Sequence, residues 1–212
     1  MEVLTHMFRA LANETRIRVL RLLAATGESR VTELAKAIRL RPNAVSAHLK
    51  VLAAAGLVWR RRSGRNVWYR LADDPTRPIV HDVIDMLRFV FARVAETVLS
   101  SIAQADQSHS PDFSDATLFR IFTAYTHPRR LQLIRYLAET SPAWPHDIAA
   151  ALQMCLPSCY QHIEKLERRE LVRQVRQGVR ILYEPTPGLA PCGRRVQDAV
   201  LKELASQTPQ AT

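Results

Sequence analysis

The stretch "RPNAVSAHLKVLAAAGLV", Arg41 to Val58, runs directly into "WRRRSGRNVWYRL", Trp59 to Leu71. The first part reads as a helix. Pro42 suits its opening turn, where a missing N–H does no harm, and Gly56 stands where the chain must leave the helix through a left-handed residue. With Val45 at the origin of a helical wheel, Leu49 and Leu52 fall beside it, while Asn43, Ser46, Ala47 and Lys50 occupy the opposite side. The second part alternates around Ser63-Gly64, which is the pattern of a short β-hairpin. A helix with one packed and one small, polar, basic face, followed by an arginine-rich hairpin, suits a DNA groove. Asn43 and Ser46 offer hydrogen bonds to base edges, Ala47 leaves room, and Lys50 neutralises phosphate. Arg60, Arg61, Arg62 and Arg65 reach the backbone or an adjacent minor groove. His48, at the edge of the packed stripe, suits either a core position or a DNA contact.

Upstream, Asn13 is placed to cap an amphipathic helix carrying Ile17, Leu20 and Leu23 and ending near Gly27. Thr32 is placed to cap the short helix "ELAKAI". This helix and the next, joined by a brief turn, make a helix-turn-helix.

Sliding the chain against itself at an ungapped offset of 114 residues superimposes Phe8 on Phe122, Arg16 on Arg130, His48 on His162, Leu52 on Leu166, Gly64 on Gly178 and Tyr69 on Tyr183. The pattern predicts a duplication: a first unit over residues 1–105, a linker over 106–114, a second unit over 115–205 and a flexible tail over 206–212. The linker is polar and carries Pro111. In the second unit Pro157, Tyr160, Gln161 and Glu164 replace Asn43, Ser46, Ala47 and Lys50, so its helix face is bulkier and acidic. Its hairpin keeps Arg173, Arg176 and Arg180, which together with Gln161 are candidates for weaker, mainly backbone contacts with DNA.

"ALANETRIRVLRLL", "VTELAKAI", "PNAVSAHLKVLAAAGLV" and "RRSGRNVWYRL" together resemble the winged helix-turn-helix of the bacterial ArsR family of transcriptional repressors, over Met7 to Leu71. The second half resembles it more weakly through "THPRRLQLIRYL", "CYQHIEKLERRELV" and "RQGVRILYEP". The resemblance implies a mainly α fold with small β-hairpin wings and a dimer built by the first and last helices of each domain. Two copies in one chain would supply that dimer internally, as an intrachain pseudo-dimer. Composition points the same way: Ile79, Val80, Val83, Met86, Leu87, Val90, Val94, Val98 and Leu99 are too many apolar positions for a solvated helix. Candidate partners for that helix are Met1 to Leu11, Asp115 to Tyr125 and Arg194 to Ala205. Association of two chains into a homodimer is left open.

The 212 residues include 30 Lys and Arg against 20 Asp and Glu, a formal charge of +10 that favours a polyanionic partner, here double-stranded DNA. Net charge is +7 over residues 1–110 and +3 over 111–212. The three cysteines form no paired framework, and the N-terminus lacks the pattern of a signal peptide. The stretch from Ile79 to Ile102 is interrupted by charges and makes a poor membrane span. A cytoplasmic protein without membrane contact is expected.

Metal-sensing relatives carry paired cysteines in the short helix that reads "VTELAKAI" and "PHDIAAAL" here, and "HDVIDML" lacks the ligands of the other familiar site. No metal and no cofactor is therefore expected. There is no phosphate loop, nucleophile elbow or His and carboxylate cluster to support an enzyme. Two readings compete with a DNA-binding repressor: a winged-helix module for protein contact, and a thiol- or metalloid-responsive repressor using Cys155, Cys159 and Cys192. For the latter, Cys159 near a helix N-terminus is the residue whose pKa a helix dipole would lower.

Overall fold

A computed structural model describes residues 1–104, 114–189 and 191–206, with side chains of 93–104 left undescribed. The 106–114 linker and the final six residues therefore fall almost wholly outside the described residues. The chain is mainly α-helical with small antiparallel hairpins. In its first half α1 (Glu2–Leu11), α2 (Glu14–Thr26), β1 (Glu28–Arg30), α3 (Val31–Ile38), α4 (Pro42–Ala54), β2 (Val58–Ser63), β3 (Asn66–Leu71) and α5 (Pro78–Gln104) follow one another. After residue 113 come α6 (Asp115–Ala124), α7 (Pro128–Thr140), α8 (Pro145–Ala151), α9 (Leu156–Glu167), β4 (Val172–Gln177), β5 (Arg180–Pro185) and α10 (Pro191–Ser206).

Local chemistry sets most of these boundaries. The Asn13 side chain accepts from the Arg16 N–H at 3.0 Å and starts α2, which ends at Gly27 with φ 76°. Pro42 opens α4. Gly56 follows its last turn at φ 75°, a backbone conformation that calls for glycine; a Cβ there would also meet the Arg77 guanidinium at 2.0 Å, a flexible side-chain end that could move aside. Thr32 does not cap α3. The Glu33 carboxylate accepts the Arg30 N–H at 2.8 Å, so the helix starts at Val31 and Thr32 lies inside it. At the other end of the chain, α10 continues through Ser206, one residue into the expected tail.

Strand β1 is an addition to the expected hairpin. It pairs antiparallel with β3, Ser29 opposite Tyr69, making the order β1-β3-β2. Two faces result, as strand geometry requires. Val58, Tyr69 and Leu71 are buried on one, while Trp59, Arg61 and Arg70 stay exposed.

The offset that carries Glu14 to Pro128 carries both bounds of α2 onto α7, and those of β2 and β3 onto β4 and β5. Side-chain bonds repeat with it. Arg16 donates to the carbonyls of Arg9 and Ala10 at the end of α1; Arg130 donates to those of Thr123 and Ala124 at the end of α6. Ser29 opposite Tyr69 in the first sheet has its counterpart in an isolated bridge between Ala143 and Tyr183.

A single hydrophobic core runs through both halves. In α5, Ile79, Val80, Val83, Met86, Leu87 and Val90 are buried as expected; Val94, Val98 and Leu99 lie outside the residues whose side chains are described. Of the three candidate partners for α5, only the segment within α10 packs against it over a broad face. Helix α1 packs on α6, and α6 also on α2. At the centre, Phe8 meets Phe122 with ring centroids 6.1 Å apart and Tyr125 at 4.9 Å. All three rings are fully buried. At the rim, Arg21 pairs with Asp115, Lys202 with Asp82 at 2.8 Å, and Arg9 donates to the Thr126 carbonyl at 3.1 Å.

Candidate nucleic-acid interface

Helix α4 is held by Val45, Leu49 and Leu52, each fully buried, which turns Asn43, Ala47 and Lys50 outward and leaves Ser46 half-exposed beside them. His48 is half-buried, and burial, then the nearby Arg16 charge, lowers its pKa. At neutral pH its ring is therefore uncharged and offers one donor and one acceptor. The turn before α4 adds two exposed arginines, Arg39, held at φ 57°, and Arg41, the residue capping α4. Neither was among the expected contacts. The signal was present in "RLRP", two arginines immediately ahead of α4, where their charge adds to the positive end of a helix.

In the hairpin, Arg60, Arg62 and Arg65 are exposed, and Arg62 Nε donates to the Gly64 carbonyl at 3.4 Å. Arg60 and Arg65 have no acidic partner among the described residues. Arg61 differs from its neighbours. Its guanidinium grips the Glu28 carboxylate through contacts of 2.9 and 3.2 Å, and that hydrogen bond holds Glu28 below the usual carboxylate range. Register explains the split. Arg60 lies opposite Tyr69 and Arg62 opposite Val67, whereas Arg61 lies opposite Trp68 on the other face, beside β1.

The second half brings together a different set. Tyr160, Gln161 and Glu164 are exposed on α9, but Glu164 is ion-paired with Arg168 one turn on, so its carboxylate is partly neutralised by its own helix. Arg173 is bound by Glu184 at 2.6 Å, and Arg180 stacks over Trp144 at 4.9 Å. Arg176 is exposed with no ion pair among the described residues. Val179 at the hairpin tip is fully exposed.

The cysteines behave otherwise than a lowered pKa at Cys159 would require. Cys159 sits in the Val45 register on the packed side of α9, and burial pushes its thiol up to about 11. Its Sγ donates to the Pro145 carbonyl at 3.5 Å. Cys192 is buried and Cys155 exposed. Among the described residues, no group of three or more His, Cys, Asp and Glu side chains is placed to hold a metal ion. No helix among them is long and apolar enough to cross a membrane.

Residues 11–60 match a family model described as a helix-turn-helix domain. Over 81 residues the chain is 37% identical to the arsenic resistance transcriptional regulator ArsR2 of Pseudomonas putida, a match covering 38% of this chain and 69% of that protein. The chain belongs to the ArsR family. A second ArsR-family relative, the transcriptional repressor SmtB homologue of Synechocystis, is 39% identical over 85 residues, or 40% of this chain and 64% of its own length. Among solved structures, that of the AntR antimony-specific transcriptional repressor aligns at 36% identity over 44% of this chain and 78% of that chain, with a TM-score of 0.35. The chain spans between 56% and 64% of the length of the first curated relatives it matches. The names of these proteins speak of transcriptional repression, arsenic resistance and antimony.

One site in the second half of this ArsR-family protein should make stability depend on pH. His162, in the His48 register, is buried and packs against His127 with ring centroids 4.7 Å apart and planes tilted by 40°. Burial first, then the charges of His127, Arg130, Lys165 and Arg129, depress its pKa to about 4. The unfolded ring titrates near its ordinary value of about 6.5, so between these values the unfolded chain binds the extra proton. Stability is full above that window and falls as pH drops through it, on the order of 3 kcal/mol for this group. Urea unfolding at neutral and at acid pH should show the loss, and His162→Leu should remove most of it. Equal acid sensitivity in wild type and variant would show that another group is responsible.

Proposed function

We infer that the protein is a sequence-specific DNA-binding transcriptional repressor, without enzymatic activity of its own, acting in the cytoplasm on double-stranded DNA. It reads bases with Asn43, Ser46 and Ala47 of α4 and grips the backbone with Lys50 and the β2-β3 wing. The observation that carries this reading is the junction of a small, polar, exposed helix face with cations that have no acidic partner among the described residues, Arg60 and Arg65. Asn side chains match the donor and acceptor edge of adenine, and long guanidinium groups suit phosphate or a narrow minor groove. The relatives named above as repressors and as a resistance regulator support the regulatory role.

The same reading makes the halves two tandem winged helix-turn-helix units, 1–105 and 115–205, joined by 106–114 into an intrachain pseudo-dimer. Phe8 and Phe122 support it: residues at one register offset touch each other, as self-equivalent residues do across a two-fold axis. The contacts of α1 with α6 and of α5 with α10 support it likewise. A DNA site of two half-sites follows, read unequally. The first unit discriminates bases; the second, with Tyr160 and a paired Glu164 on its helix, holds the backbone through Arg176 and Arg180.

The test is a mobility-shift titration on fragments selected from random DNA by the purified protein. Affinity should fall linearly in log salt, with a slope of roughly −0.9 per phosphate contacted. Asn43→Ala should lose about 1–3 kcal/mol of discrimination at one half-site, while Gln161→Ala should leave discrimination unchanged. No selected sequence and no salt slope would refute DNA binding. Equal losses from the two substitutions would refute the unequal reading alone.

A further inference from the structure

On the sheet face opposite Tyr69, between the end of α2, the outer side of the wing and α5, lies a cavity of about 640 Å³. Its size falls within the range of small-molecule sites. Ala24 and the edges of the buried Leu23 and Leu71 supply an apolar floor, and Trp59 forms a wall. Trp59 is 54% exposed, a large apolar surface left in water at the mouth of a concavity.

The charges around it are uneven. Arg61, Arg70 and Arg88 line the cavity against a single carboxylate, Glu28. Glu28 is taken by Arg61 at 2.9 Å, and Arg88 is drawn to Asp85 at 3.3 Å. Arg70 has no ion pair among the described residues. Its guanidinium carbon stands 4.9 Å from the Trp59 ring centroid, which holds a cation beside an aromatic wall and above an apolar floor. A neutral apolar ligand would bring no carboxylate to Arg70, whose nearest one, Glu28, is already hydrogen-bonded to Arg61. A small inorganic anion would leave the exposed tryptophan wet. A planar aromatic ring bearing one carboxylate satisfies both: the ring covers Trp59, and the carboxylate accepts the forked hydrogen bonds of Arg70.

We propose that this cavity is a binding site for a small aromatic carboxylate, with Trp59 packing the ring and Arg70 binding the carboxylate. The site is separate from the face assigned to DNA, since Arg60 and Arg62 alternate to the opposite side of the same strand. It therefore stands or falls independently of the repressor reading.

Equilibrium dialysis of the full chain against 2-naphthoate, benzoate and indole-3-acetate tests it without DNA. At least one of the three should bind saturably with one site per chain. The matching neutral alcohol, 2-naphthylmethanol, should bind about tenfold more weakly, and inorganic phosphate should not compete. Arg70→Gln and Trp59→Ala should each weaken binding by about tenfold, equivalent to 1.4 kcal/mol. Arg70→Lys should recover part of the loss. Both side chains are exposed, and circular dichroism checks that the variants fold like the wild type. Absence of saturable binding by all three carboxylates would overturn the proposal. So would unchanged affinity in folded Arg70→Gln, or displacement by phosphate, which would mark a simple anion site.

Discussion

Replacing Phe8 by Ala should destabilise the whole chain by about 3–5 kcal/mol, the range for truncating a buried aromatic side chain. Phe8 has no exposed surface and touches Phe122 and Tyr125, which come from the other half. The loss combines the transfer of a large apolar ring with a cavity that two helices, α1 and α6, cannot close without giving up their own packing. Phe122→Ala should cost a similar amount for the same reason. The informative measurement is the double variant. If the rings support one another across the junction, the two losses will not add, and the shortfall should lie within about 0.5–3 kcal/mol. Of this, roughly 0.5–1.5 kcal/mol is the geometric preference of an aromatic pair. Urea unfolding of the two single variants and the double one decides it. Additive losses would mean that the halves are energetically independent, and the pseudo-dimer would then be a matter of proximity only.

Removing Arg60, Arg62 and Arg65 together, each as Ala, should lower affinity for all DNA roughly 10–100-fold at low salt and flatten the salt slope by about 0.9 for each phosphate no longer neutralised. Selectivity among sequences should survive, because phosphate contacts position the protein and base contacts specify. Arg61→Ala is the comparison. Its guanidinium is already engaged by Glu28 across the sheet, so fewer counterions are displaced when DNA meets it. The single Arg61 substitution should change the slope less than any one of the other three, and Glu28→Gln, which frees Arg61, should steepen it. A triple variant with an unaltered salt slope would show that the wing does not touch the backbone and that α4, with Arg39 and Arg41, carries the charge contacts alone.

Much of the architecture was legible in the residues themselves. Asn13 caps α2, Pro42 opens α4 and Gly56 closes it, because each signal acts on backbone within four residues of itself. The outward face of α4 was legible for the same reason: a 3.6-residue period ties Val45, Leu49 and Leu52 to one side and frees Asn43, Ala47 and Lys50 on the other. The offset of 114 residues is visible in the residues alone, and the bounds of α7, β4 and β5 follow it.

What the sequence could not decide depends on which distant residues meet. Three residues of β1 carry no alternation of their own, and only the open edge of β3 makes them a strand. That pairing brings Glu28 to Arg61, 33 positions away, and so removes one arginine from a run of three that look alike in sequence. The choice of α10 over α1 and α6 as the broad partner of α5 is of the same kind. Each of these helices offers an apolar face, and apolar attraction is non-directional, so the shapes of assembled surfaces select the partner. Cys159 illustrates the electrostatic case. Its position near the start of α9 suggests a lowered pKa, but burial on the packed side outweighs the few aligned dipoles at a helix end, and the thiol is raised instead. Local rules are written in neighbouring residues; burial, ion-pair choice and the cavity beside Trp59 exist only once the elements have packed.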